Sequence, residues 1–201
     1  MPKYPRSWRN FQPAAGVRVM PQSVTLPDSD RCRVLGLDPG SIRTGFGVID
    51  CGQHDPRHVA NGTIKVAGAT LAQRLRHIYE AICELVELHQ PDEIAIERVF
   101  VHRNVDSALK LGQARGVTLC AAASRGAPVY EYAPRAIKLA VVGHGGAEKT
   151  QVVHMVRGLL TIEAELGADA ADALAICLCH SQSRRMAALA ALATGLVATS
   201  A

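Results

Sequence analysis

The stretch that decides the fold is Val34–Asp50, VLGLDPGSIRTGFGVID. It opens with apolar residues that suit a strand buried on both faces. Asp38 ends that strand, and Pro39-Gly40 punctuates a turn. Beyond the turn Phe46 and Val48 alternate with Gly45 and Gly47, and Ile49 follows. This pattern predicts a second strand with one nearly bare face, against which another element packs closely. A carboxylate where a buried strand meets its turn is costly unless it is paired, hydrogen-bonded or metal-bound. On this stretch alone, Asp38 fits better an Asx turn that satisfies its own backbone.

Working outward, His58–Val66 supplies a third strand through Val59, Ile64 and Val66, giving an antiparallel meander. Thr70–His89 carries Leu71, Leu75, Ile78, Ile82, Leu85 and Leu88 at helical spacing and is stopped by Pro91. Glu93–Val99, EIAIERV, reads as a short buried strand bearing Glu97 at its end. Asn104 and Asp106 are capping residues for a helix over about 105–125. Its Ala108, Gly112 and Gly116 make a bare stripe, suited either to tight packing on the sheet or to another helix, including one of a second subunit. Pro128–Tyr132 is a further strand, and Pro134 opens a helix that Gly143-His144-Gly145-Gly146 breaks. Lys149–Leu160 and Asp169 to about Ser181 are the last two helices. Three antiparallel strands followed by alternating helices and strands predict an α/β fold, a mixed sheet with helices on both faces.

Residues 1–30, proline-rich and without period, are expected to be a disordered leader; 31–183 form one domain; 184–201 are an alanine-rich tail that reads as a frayed helix. No apolar run is long enough to span a bilayer, and no secretion signal is legible, so a cytoplasmic protein without membrane association is expected. Cys32, Cys51, Cys83, Cys120, Cys177 and Cys179 show no metal-type spacing and read as small, reduced core residues. The net charge of +4 is unevenly spread: residues 98–157 hold nine Lys/Arg against three Asp/Glu, which allows one basic face.

Four acids stand out by position. Asp38 and Glu97 end strands, and Asp169 and Asp172 open an alanine-rich helix at a spacing of three, which places them on one helical face. Asp169 also suits an N-cap, both aspartates favour the helix dipole, and Glu97 has Arg98 beside it. If the first and fourth strands are neighbours and the last helix crosses their ends, the four acids converge. Convergent carboxylates repel unless a cation holds them together, and hard divalent ions with oxygen ligands suit the task. Two such ions about 4 Å apart can activate a water and stabilise the leaving oxygen of a phosphodiester.

The segments LGLDPGSIRTGFGVI, AIERVF, NVDSALKLGQARG, VYEYAPRAIKLAVVG, AEKTQVVHMV and ADAADALAIC resemble the blocks of the RuvC family, the bacterial Holliday junction resolvases, from about Arg33 to Ser181. The resemblance implies a ribonuclease H-like fold with a five-stranded sheet. It implies a homodimer that makes paired nicks in four-way junction DNA during recombination and repair. Magnesium is the implied cofactor, two ions per site, with manganese a possible substitute, and the RuvA–RuvB branch-migration complex is the implied partner. Asp38, Glu97, Asp169 and Asp172 fall on the family's catalytic, metal-holding positions. Phe100 falls on its base-stacking aromatic, Lys138 and Lys149 on basic positions for DNA contact and catalysis, and Arg103 where a lysine is common. Taken by itself, Phe100 also fits a core position, and the two lysines fit a solvated loop. His144, in the glycine loop where smaller residues are common, departs from the family pattern. Two other readings are open. DPGSIRTGFG resembles the phosphate loops of the actin and sugar-kinase superfamily, although the chain is too short for that fold's second domain and lacks GK[ST]. A junction-binding module without catalysis would keep the basic segment but would not need all four acids.

Overall fold

The computed structural model describes residues 31–52, 55–98 and 105–193. Among these the order is β1 (Arg31–Asp38), β2 (Arg43–Gly52), β3 (Arg57–Lys65), α1 (Leu71–His89), β4 (Glu93–Glu97), α2 (Val105–Ala123), β5 (Val129–Tyr132), α3 (Pro134–Val142), α4 (Lys149–Leu159) and α5 (Ala168–Ala193). The strands form one sheet in the order β3-β2-β1-β4-β5. The meander pairs antiparallel, while β1–β4 and β4–β5 pair parallel, so the sheet is mixed as expected.

Strand alternation divides the core in two. Cys32, Val34, Ile49, Cys51 and Ala95 point to the face covered by α3, α4 and α5. Leu35, Leu37, Val48, Ile94 and Ile96 point to the other face, against Ile78, Ile82 and Val86 of α1 and Ala114, Ala121 and Ala122 of α2. Four of the six cysteines, Cys32, Cys51, Cys177 and Cys179, are buried.

The bare face of β2 has its partner in α5. Gly36 of β1 and Gly47 of β2 are directly paired, and Gly45 is paired with Asp38. A Cβ on Gly36 would stand 2.3 Å from the Ala173 carbonyl oxygen, and one on Gly45 would stand 2.0 Å from that of Asp169. Only hydrogen at these two positions lets the helix backbone rest on the strands. The alanines of α5 complete the fit, since Ala170, Ala171, Ala173 and Ala175 are all buried. The helix is therefore held at a fixed height over the ends of β1 and β2.

Local signals set the other boundaries. Thr70 caps α1 in a full capping box with Gln73, and Gln90 closes the helix in a left-handed conformation before Pro91. Pro134 occupies the first turn of α3, and Gly143 ends it at φ 87°. Two expectations need correction. The last helix does not stop near Ser181 but continues to Ala193. Nothing in 182–193 breaks a helix, and Arg184 turns inward to pair with Glu93. The stripe on α2 is not packed on the sheet: Gly112 and Gly116 are exposed, with nothing near their missing side chains. The helix buries Ala114, Thr118, Ala121 and Ala122 instead. No described helix is long and apolar enough to cross a membrane.

Candidate active site

Asp38 and Glu97 each lie one residue past Leu37 and Ile96, the last partners in the register of the parallel β1–β4 pair. Since Leu37 and Ile96 point to the α1–α2 face, their successors point to the α5 face. Helix α5 starts above them. Asp169 and Asp172 lie in its first two turns, where the exposed backbone N–H groups favour negative charge. Lys149 opens α4, and its ammonium donates to Asp172 Oδ2 at 3.3 Å. Arg43, at the start of β2, approaches Asp169 Oδ2 at 3.8 Å.

The electrostatics follow from this crowding. Burial, then the charges of Glu97 and Asp172 and a hydrogen bond with Glu97, push the Asp38 carboxyl up to about 7. Burial and the charge of Asp172 also raise Glu97, against the hydrogen bond from Asp38 and the charges of Lys149 and Lys138. Both strand-end carboxyls are thus raised, in the manner of like charges too close to ionise freely together. Lys149 is held charged by Asp172, which it touches, and further by Asp38 and Asp169.

Of the residues singled out in the sequence, the fold brings Asp38, Glu97, Asp172 and Lys149 into one electrostatic group, with Lys138 near enough to act on Glu97. Asp169 stands at its edge, bridged to Arg43. Phe100 and Arg103 lie outside the described residues. Arg43 had not been singled out. Its signal was its place beside the carboxylate strand end, five residues after Asp38.

The comparisons with known proteins bear on this arrangement. The family described as "Crossover junction endodeoxyribonuclease RuvC" matches residues 34–180. The crossover junction endodeoxyribonuclease RuvC of Hahella chejuensis is 54% identical over 153 residues, spanning 76% of this chain and 89% of its own. The chain belongs to the RuvC family. A solved structure of Thermus thermophilus RuvC in complex with Holliday junction substrate superposes with a TM-score of 0.71 at 37% identity, over 77% of this chain and 96% of that one. The yeast mitochondrial Holliday junction resolvase Ydc2 shares the fold at 14% identity, with a TM-score of 0.61 over 83% of each chain. The RuvC fold is ribonuclease H-like, which is the α/β class expected from the sequence.

Membership of this nuclease family points to a divalent metal. The donor set fits one. A half-buried pair of carboxyls whose ionisation is disfavoured is one that a hard cation can take over with gain, because it removes the same repulsion with twice the charge. Among the described residues no three such side chains converge tightly enough to form a closed cage. An ion of the magnesium type, which takes one or two carboxylates and keeps several waters, does not require one.

Proposed function

We propose that this chain is a structure-selective endonuclease that resolves four-way DNA junctions by metal-assisted phosphodiester hydrolysis, through the group formed by Asp38, Glu97, Asp169 and Asp172. The observation that carries the reading is the placing of Asp38 and Glu97 at the ends of adjacent parallel strands, faced by the aspartates of α5. Glu93 and Asp50 are matched to bases; Asp38 and Glu97 are matched to one another. When bound, magnesium (with manganese as substitute, and two ions per site) would supply Lewis acidity for a water and charge to offset the leaving oxygen.

The residues of the chain do the rest. Asp38 and Glu97 hold their oxygens on a rigid sheet, so the inner ligands cannot drift. Asp169 and Asp172 bring further oxygen donors down from α5, at the height set by Gly36 and Gly45. Lys149 stands charged beside Asp172, where it can offset the negative charge of a scissile phosphate. Lys138 carries a second positive charge on the same rim and, with Phe100 and Arg103, would seat the branched DNA. The products would be a 5′-phosphate and a 3′-hydroxyl. Two copies of the chain, related by a twofold axis, would nick strands of like polarity in a symmetric junction. Cooperation with the RuvA–RuvB motor, a cytoplasmic location, and a domain over 31–183 between leader and tail belong to the same reading.

The test is incubation of the purified protein with a synthetic four-way junction and with a linear duplex, each with and without magnesium. Paired symmetric nicks in the metal-containing junction sample alone are expected. Equal cutting of duplex and junction, or cutting without a divalent ion, contradicts the proposal. Asp38→Asn separates enzyme from binding module: junction binding persists and nicking is lost.

A further inference from the structure

The β2–β3 edge of the site carries a feature that stability does not explain. Arg43 and Lys65 are direct cross-strand partners at the open end of that antiparallel pair. Partners in register share a face, and here it is the face on which Gly45 meets the backbone of Asp169. Like charges placed directly opposite each other on adjacent strands are destabilising. The two are not on a loose end: just beyond them the Val66 amide donates to the Ile42 carbonyl at 2.9 Å, so the ladder continues. Among the described residues one carboxylate meets the pair, Asp169, which stands 3.8 Å from an Arg43 side chain that is 62% exposed. Lys65 is exposed and has no ion-pair partner among the described residues.

The two cations lie across the acids from Lys138. The sheet order puts Lys138, which acts on Glu97 of β4, toward one side, and Arg43 and Lys65, on β2 and β3, toward the other. We propose that Arg43 and Lys65 form a second phosphate-contacting rim of the groove, taking the backbone of a duplex arm on the β3 side of the acids. This rests on the junction-cutting reading. The chemistry is that of two adjacent, fixed cations beside a polyanion, and it carries no base specificity. Once Asp169 spends its charge on a metal ion, Arg43 is free to face phosphate, so the rim strengthens as the site is loaded.

The experiment is equilibrium binding of a four-way junction in EDTA, where no cutting occurs, as a function of potassium chloride. The full chain is compared as wild type, Arg43→Gln, Lys65→Gln, the double variant, and Arg57→Gln/Arg125→Gln as a charge-matched control. Each lost phosphate contact makes the slope of log K against log salt shallower by about 0.9, and lowers affinity near 0.1 M salt by about threefold to tenfold. The double variant is expected to lose nearly two units of slope, and the control none. Its melting temperature is expected to hold or rise, because the cross-strand repulsion is gone. Lys65→Gln decides against a purely structural role, since Lys65 does not touch Asp169. A Lys65→Gln slope equal to wild type, or a control that falls as far as the double variant, overturns the inference. Wild-type protein that does not bind the junction overturns the function reading, and this inference with it.

Discussion

Strand β4 begins and ends with a glutamate, and both face α5, yet the two are treated in opposite ways. Glu93 is buried, takes a hydrogen bond from His180 Nε2 at 2.5 Å, and is paired to Arg184. Burial would raise its carboxyl, but the bonds from His180 and Arg184 prevail and hold it below the usual range. Glu97 meets Asp38 and Asp172 instead, and is raised. One helix thus offers a base to the first acid and further acids to the second. The difference separates an end that the fold finishes with its own side chains from an end where it leaves like charges together. At the Glu93 end the charge is neutralised within the chain, and Tyr132 closes the network on His180 Nδ1 at 2.6 Å. At the Glu97 end like charges are assembled and left to a proton or a cation.

The sharpest way to break this comparison is to neutralise each glutamate in turn. Glu97→Gln should cost nicking about ten-thousandfold, as removal of a catalytic group typically does, while junction binding without metal persists and the metal-free protein melts no lower. Glu93→Gln should do the reverse. It leaves Arg184 buried without its counter-ion, which costs about 3–5 kcal/mol of stability by denaturant titration, while the fraction that remains folded cuts normally. Replacing both partners by apolar residues, Glu93→Leu with Arg184→Met, should recover most of that loss. Equal behaviour of the two single variants would erase the distinction.

A smaller effect is expected between the ends. Gly45→Ala forces a methyl group into the Asp169 carbonyl, so α5 must lift. Overpacking of this kind costs about 1–3 kcal/mol. The midpoint of magnesium activation should rise more than stability alone explains, because the helix carries two of the proposed ligands. An unchanged midpoint would mean that the height of α5 does not set the site.

The smallest effect is in the pH dependence of the metal-free protein. The Asp38 carboxyl is higher when folded, about 7, than its ordinary 3.8, so the folded state binds more protons between those values. Stability from this group is therefore present at low pH and lost as pH rises through 7. Glu93 has the opposite sign, since its folded value is depressed; its contribution is lost only as pH falls below the ordinary carboxylate range. Thermal melts should show a shallow optimum on the acid side of neutrality, with a fall on the order of 1–2 kcal/mol toward pH 8 after allowance for solvent screening. Asp38→Asn should remove that fall.

The sequence shows the Glu97 end better than the Glu93 end, for a physical reason. Asp38, Glu97, Asp169 and Asp172 sit where strands and helices begin or end, and turn residues such as Pro39-Gly40 mark those points locally. The glycines of β2 announce a close neighbour, and α5 supplies it. The Glu93 network has no such mark. His180 and Arg184 lie inside an alanine-rich run whose helical face is not evident, and their partner is 87 and 91 residues away. The alternation Glu93, Ala95, Glu97 on one strand face was the available clue, since it places two acids toward the same helix. For the same reason the boundary of α5 is set too early from sequence: the alanine-rich stretch after Arg184 reads as a frayed helix until the long-range partner of Arg184 is seen. The stripe of α2 shows the converse, a local pattern whose packing partner on the sheet does not exist.

The most direct measurement is calorimetric titration of magnesium into the metal-free protein at pH 7, repeated in buffers of different ionisation enthalpy. Binding should release about half a proton per site, because the Asp38 carboxyl, pushed up to about 7, is half protonated there. Asp38→Asn should weaken binding and abolish the release. Binding of equal strength in that variant, or no proton release from the wild type, would contradict the claim that the strand-end pair is where the cation is held.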